Sequence, residues 1–247
     1  MRGFVDEKDI ADGVYVCLIF ATWNCPVFPD ITGTEKKNWT GGGYDAGTVS
    51  YSARYRDVIV LGSSHGYMGI DQNLLWDEFG IPSFAMCSSS QPPSASYYIL
   101  KEILKYHKPK VVLLELYTFY HDGRDFLEEK DHVQLRKAFD ALRLDEYKLD
   151  MVKDFFPDAP WQEKMQWYIP FLRYHSRWNE LTSYDFDPMY FLRGSKVSYR
   201  VTPSEQPLMT DETAELFEYN MAYFEKLRSL CLENGIKLVT FTTPITL

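Results

Sequence analysis

The sequence predicts an α/β protein, a three-layer α/β/α sandwich on a parallel sheet, and three observations carry that reading. Short apolar runs at residues 57–61, 81–86 and 110–116 have strand length and lack the polar alternation of a half-exposed sheet. Segments of helical length, about 71–79 and 94–107, separate them, as right-handed crossovers between parallel strands require. A fourth unit, a helix over about 211–234 and a strand over 237–242, follows near the end.

Taken in order, residues 1–50 form an irregular arm. Residues 25–50 mix Pro, Gly, Thr and Asn around Gly41, Gly42 and Gly43, with no sustained period. The domain proper spans 51–247. Its first strand is the run Val58, Ile59, Val60 and Leu61, stopped by Gly62. The helix over 94–107 places Tyr97, Leu100, Ile103 and Leu104 on one face; Pro92 and Pro93 fix its start and Pro109 forbids its continuation. Between 120 and 208 lies an aromatic-rich stretch too long for a simple crossover, with helical fragments at about 133–142, 145–155 and 161–168. It reads as an insertion above the carboxyl edge of the sheet, where lids and binding walls sit. In the last helix Phe217, Met221, Phe224, Leu227 and Cys231 recur at helical spacing, Asp211 and Glu212 suit its positive end, and Gly235 supplies a left-handed stop. The chain then runs from strand into an apolar stub ending at Leu247, which reads either as an unusual natural end or as a sign that a final segment is missing.

Composition narrows the function. A formal charge of −9 over 247 residues, with no Lys/Arg cluster, opposes a phosphate backbone and excludes nucleic acid as an expected partner. Aromatic residues make up 16% of the chain, which suits grooves for sugar or lipid as well as ordinary core packing. Cys17, Cys25, Cys87 and Cys231 have neither metal spacing nor disulfide density and read as buried thiols. The apolar run 14–23 is too short to span a bilayer, and Asp6, Glu7, Lys8 and Asp9 before it lack signal-peptide character, so no transmembrane segment or export signal is read. No metal and no organic cofactor are expected, since no His/Asp/Glu set has ligand spacing and Asp122, Glu128, Glu129, Asp131, Asp145 and Glu146 read as a solvated acidic face.

The chemistry is expected at Ser63 and Ser64, just past the first strand. Open α/β sheets bind ligands at the carboxyl ends of their strands, and a serine exposed there can act as a nucleophile if N–H groups converge on the oxyanion and a base takes its proton. Gly-Ser-Ser is also an ordinary polar turn. His65, adjacent to Ser64, is a poor base and reads as a capping or pocket-lining group. His107 belongs to a helix end, and His121 and His132 read as solvated. Arg173, His175 and Arg177 alternate beside Tyr174 and Trp178, which suits either an anionic or sugar-like substrate or a structural ion-pair cluster.

The stretch Asp57-Val-Ile-Val-Leu-Gly-Ser-Ser-His65 resembles the first block of the SGNH/GDSL hydrolase superfamily, a strand followed by Gly-Asp-Ser with the nucleophile last. The likeness is closest to the bacterial Gly-Ser-Ser branch, which includes proteins that modify the acyl groups of cell-wall polymers and exopolysaccharides. It extends through Trp76–Ser83, Gln91-Pro92, Ser96–Glu102, Lys108–Glu115 and Arg173–Trp178, and covers residues from about 57 to the end. The resemblance implies a flavodoxin-like sandwich, Ser64 as nucleophile, Ser63 in place of the aspartate, and the N–H groups of Ser64 and Ser90 as the oxyanion hole. Gln91, Glu115, Tyr117 and Thr118 would line the pocket, together with Ser63, His65, Arg173, His175 and Arg177.

Departures from the family pattern are specific. The second block falls on Ala85 and Ser90 instead of Asn and Gly, the third around 116–119 without an Asn, and the fourth, Asp-x-x-His, would follow the last strand beyond Leu247. The expectation is a serine esterase or O-acyltransferase acting on an acylated carbohydrate, a cell-envelope polymer or a small ester, with the base outside this sequence. The alternative is a catalytically degenerate relative that binds a glycan or a protein. Phosphate or nucleotide binding ranks last, because Gly62, Gly66 and Gly69 complete neither a dinucleotide fingerprint nor a P-loop. The resemblance implies an extracytoplasmic or membrane-associated setting, while the residues show no export signal and leave a cytoplasmic one open.

Overall fold

A computed structural model describes residues 57–128, 132–140, 142–174 and 217–243, all in the second of the two units, Met1–Lys37 and Asn38–Leu247, into which the chain divides. The expected arm over 1–50 and the start of the expected last helix lie outside these residues. Four strands form one parallel sheet in the order β2-β1-β3-β4: β1 (Val58–Gly62), β2 (Ser83–Cys87), β3 (Val111–Glu115) and β4 (Lys237–Phe241). Val58 pairs with Ser83 on one side and Val111 on the other, and Val111 pairs with Lys237. The sheet and its crossovers establish the α/β class, in an arrangement compatible with a three-layer sandwich.

Strand alternation divides the core between the two sheet faces. Ile59, Leu61, Phe84, Met86, Val112 and Leu114 join the larger cluster with Ile99, Leu100 and Ile103 of α3 (Pro93–Leu104) and Tyr223 and Leu227 of α9 (Glu218–Glu233). Val60, Ala85 and Cys87 form a smaller cluster with Tyr67 of α1 (Ser64–Gly69). Helix α2 (Gln72–Phe79) follows, with Asp71 accepting the N–H groups of Asn73 and Leu74 at its start and Gly80 in the left-handed region at its end.

The expected elements appear with shifted ends, each for a backbone reason. Strand β2 starts at Ser83, two residues after the expected position 81, because Pro82 has no N–H; its carbonyl instead accepts from Asp57 and Val58. Helix α3 stops at Leu104, three residues before the expected 107, where the chain tightens through Lys105 N–H to Glu102 O and Tyr106 N–H to Ile103 O ahead of Pro109. Its buried surface is wider than the predicted face and includes Ala95, Tyr98 and Ile99. Gly235 takes φ +68 just after α9, as the left-handed stop requires.

The insertion supplies short helices: α4 (Asp125–Glu128), α5 (Val133–Phe139), α6 (Glu146–Phe155), α7 (Trp161–Tyr168) and α8 (Phe171–Tyr174). Three of them match the expected fragments, and Leu135, Ala138, Phe139, Met151, Val152, Phe155 and Trp167 extend the larger core. These helices therefore contribute core as well as surface. Asp154 of α6 accepts the hydroxyls of Tyr98 at 2.7 Å and Tyr223 at 2.5 Å, tying the insertion to α3 and α9; burial and these bonds push both phenols up. Lys148 is buried and donates to the carbonyls of Asp140 and Leu142 just past α5, and burial lowers its ammonium pKa to about 8. Two readings of this stretch as solvated are corrected. Asp145 caps α6 by accepting from Tyr147 and Lys148, and His132 is wedged against Phe156 and Trp167, where burial pushes its imidazole pKa down.

Candidate active site

The strand order reverses between β1 and β3, so the carboxyl ends of these two strands flank the crevice where open α/β sheets bind ligands. Gly62 ends β1 at φ +137, a conformation that side chains oppose, and a Cβ on it would sit 2.6 Å from the Glu115 Cβ at the end of β3. The absent side chain lets the two strand ends close on each other. Glu115 uses that proximity: its Oε2 accepts the Ser63 hydroxyl at 2.7 Å and the Ser63 N–H at 3.1 Å, while its Oε1 accepts the Tyr117 N–H at 2.5 Å. Three donors satisfy a carboxylate that water does not reach.

Ser63 is the N-cap of α1, and its oxygen also accepts the His65 N–H at 3.2 Å. A helix therefore starts directly past the Gly-Ser-Ser turn. Gly66 sits inside that helix because a Cβ there would meet the Cys87 Sγ at 2.8 Å, and Gly69 lies against Thr243. The thiol of Cys87 is pushed well up, first by burial and then by the nearby Glu115 charge. Glycine in α1 thus reports close packing.

Ser64 occupies the first helical position and is half-buried. Its N–H has no carbonyl four residues back to bond, and among the described residues no backbone carbonyl accepts it. Ser90, in the turn after β2, is half-buried at φ +51, a left-handed conformation rare for serine, and its N–H likewise meets no backbone carbonyl among the described residues. The two turns are tied together: Gly62 pairs with Cys87, the Ser88 N–H donates to Gly62 O at 3.3 Å, and Tyr67 OH and Ser89 Oγ lie 3.4 Å apart.

Four of the expected pocket-lining residues, Ser63, Gln91, Glu115 and Thr118, are buried, and their polar atoms hold the edge loops. Gln91 donates through Nε2 to Met86 O at 3.2 Å and Ser96 Oγ at 3.0 Å, and its own carbonyl accepts the Thr118 hydroxyl at 2.9 Å. Tyr117 and His65 remain half-buried at the edge, their rings stacked with centroids 3.9 Å apart and planes 11° from parallel. His65 Nδ1 and Thr243 Oγ1 are 3.1 Å apart, and the exposed His121 lies 5.7 Å from the Tyr117 ring. Arg173 is half-buried in α8, whereas His175 and Arg177 lie outside the described residues.

Sequence reasoning missed Asn220. From the first turn of α9 its fully buried amide donates to the carbonyls of Phe119 at 3.2 Å and His121 at 2.6 Å, and accepts the Gly123 N–H at 3.1 Å. It fixes the 3₁₀ turn Tyr117–Tyr120 that follows β3. Asn220→Ala orphans these groups at once and is expected to lower unfolding free energy by about 2–4 kcal/mol. Urea denaturation checks it, and a loss below about 1 kcal/mol shows that the turn holds without the amide.

Comparison of the chain with protein-family models, with curated proteins and with solved structures finds no match. Among the described residues no three His, Cys, Asp or Glu side chains group to hold a metal ion, and no helix is long and apolar enough to cross a membrane.

Proposed function

We propose that this protein is a serine-dependent acyl hydrolase or acyltransferase of the SGNH/GDSL type, acting on an acylated carbohydrate or related cell-envelope polymer, with Ser64 as the nucleophile. The observation that carries the reading is the setting of Ser64: half-buried, first in its helix, directly past β1 at the switch point, with its N–H accepted by no backbone carbonyl among the described residues. The sheet order 2-1-3-4 agrees with the flavodoxin-like sandwich that the Gly62-Ser63-Ser64 resemblance implies.

In this mechanism Ser64 Oγ attacks the acyl carbonyl carbon, and the serine proton passes to a general base. The N–H groups of Ser64 and Ser90 receive the developing oxyanion. Collapse of the tetrahedral intermediate forms the acyl-enzyme and releases the alcohol, protonated by the same base. Water or a sugar hydroxyl then attacks the acyl group and restores Ser64. Glu115 acts beneath this site as a positioning residue, since through Ser63 and Tyr117 it sets both walls of the turn.

Fluorophosphonate labelling tests the assignment. Ser64→Ala is expected to abolish covalent labelling of the folded protein while Asp71→Ala, remote from the chemistry, leaves it intact. Labelling that persists in Ser64→Ala, or that never occurs at Ser64 in a chain extended past Leu247 to include the expected base, removes the proposal.

A second reading, a binding domain without turnover, is favoured by one observation. His65 Nδ1 is engaged by Thr243, which leaves the imidazole next to Ser64 committed elsewhere. Glycan binding unchanged by Ser64→Ala, with no ester turnover, selects this reading.

A further inference from the structure

We infer that the His65–Tyr117 ring stack, extended by His121, is a subsite for one face of a pyranose ring. The inference rests on reading the carboxyl edge as the binding site, and it specifies which part of a ligand that edge holds. Stacking at 3.9 Å and 11° commits one face of each ring to the other, so the pair behaves as a single rigid slab. The slab is fixed from below and from the side: the Tyr117 N–H is held by Glu115, the His65 N–H by Ser63, and His65 Nδ1 by Thr243. His65 immediately follows Ser64, so the slab stands beside the proposed nucleophile.

Exposure grows outward along it, from half-buried His65 and Tyr117 to exposed His121, whose ring is tilted 59° to Tyr117. An aromatic surface left partly open beside a polar edge suits a ligand with an apolar face and a hydroxylated rim. The axial C–H bonds of a pyranose carry slight positive charge and meet the electron-rich ring face, while imidazole nitrogens and the phenol can take hydroxyl hydrogen bonds. A linear aliphatic ester has no flat face to offer it. The slab therefore selects for a sugar carrying the ester.

Saturation-transfer NMR on the Ser64→Ala protein tests the subsite without turnover, with a mono-O-acetylated methyl β-glucopyranoside as the probe. The expected result is saturation of the pyranose ring protons of one face, lost in the additional Tyr117→Ala variant and retained in Tyr117→Phe, with affinity about two- to tenfold weaker for the alanine. Thermal denaturation of both variants checks that each remains folded. Saturation confined to the acetyl methyl, an equal response in Tyr117→Ala, or no binding by the folded protein overturns the inference. An unlabelled Ser64 with intact ring-proton saturation overturns the acyl-enzyme proposal alone, whereas labelled Ser64 with no Tyr117 dependence overturns the subsite alone.

Discussion

Gly62→Ala is expected to lower unfolding free energy by about 3–5 kcal/mol. At φ +137 the alanine is strained before any contact is considered, and its Cβ would stand 2.6 Å from the Glu115 Cβ and 3.2 Å from the Glu115 carbonyl oxygen. These atoms belong to or adjoin the backbone of a paired strand, so no flexible chain end can swing aside. Relief requires β1 and β3 to part at their carboxyl ends, which breaks the Ser63–Glu115 bonds as well. Gly80→Ala provides the matched control, since Gly80 is also left-handed, at φ +65, but nothing lies within 4 Å of its added Cβ. That variant is expected to lose only about 1 kcal/mol. Urea denaturation of the pair separates clash from backbone strain, and equal losses contradict the close approach of the two strands.

Glu115→Ala is expected to cost about 3–5 kcal/mol, and to slow fluorophosphonate labelling of Ser64 in whatever protein remains folded. The substitution orphans the Ser63 N–H, the Ser63 hydroxyl and the Tyr117 N–H in a region closed to water. Glu115→Gln keeps the shape but turns one oxygen into an NH₂ that faces donors, so about 1–3 kcal/mol is expected. Combining Ser63→Ala with Glu115→Ala is expected to lose less than the sum of the two, by about 1 kcal/mol or more, because each single change already removes the shared hydroxyl bond. Strict additivity in a double-mutant cycle refutes the coupling. The labelling rate distinguishes a positioning role from a purely structural one: unchanged labelling in folded Glu115→Gln shows that the carboxylate does not set the turn.

The sequence made the sheet legible because its signals are local. Buried parallel strands read as unbroken apolar runs, and the prolines and glycines that stop them act on their own backbones, so the four runs 57–61, 81–86, 110–116 and 237–242 each appear within two residues of a strand end. The site was legible only in its location. Ser63 and Glu115 are 52 residues apart, and Asn220 reaches His121 across 99, so no spacing rule joins them. Glu115 reads from the sequence as a pocket-lining residue, whereas its side chain is buried between the two strand ends, where Gly62 lacks a Cβ. Gly66 and Gly69 complete no nucleotide motif as letters, and in space they admit Cys87 and Thr243. His132 and Asp145 were read from the charge of their neighbourhood, and packing and capping decided both instead.

The cross-links among the edge turns carry one more implication. Ser88 to Gly62, Thr118 to Gln91 and Asn220 to His121 leave the rim little latitude to reshape itself around a visitor. A molecule docking there forfeits its own freedom but extracts almost none from these turns, so discrimination must come from how well its contour fits a mould already cast.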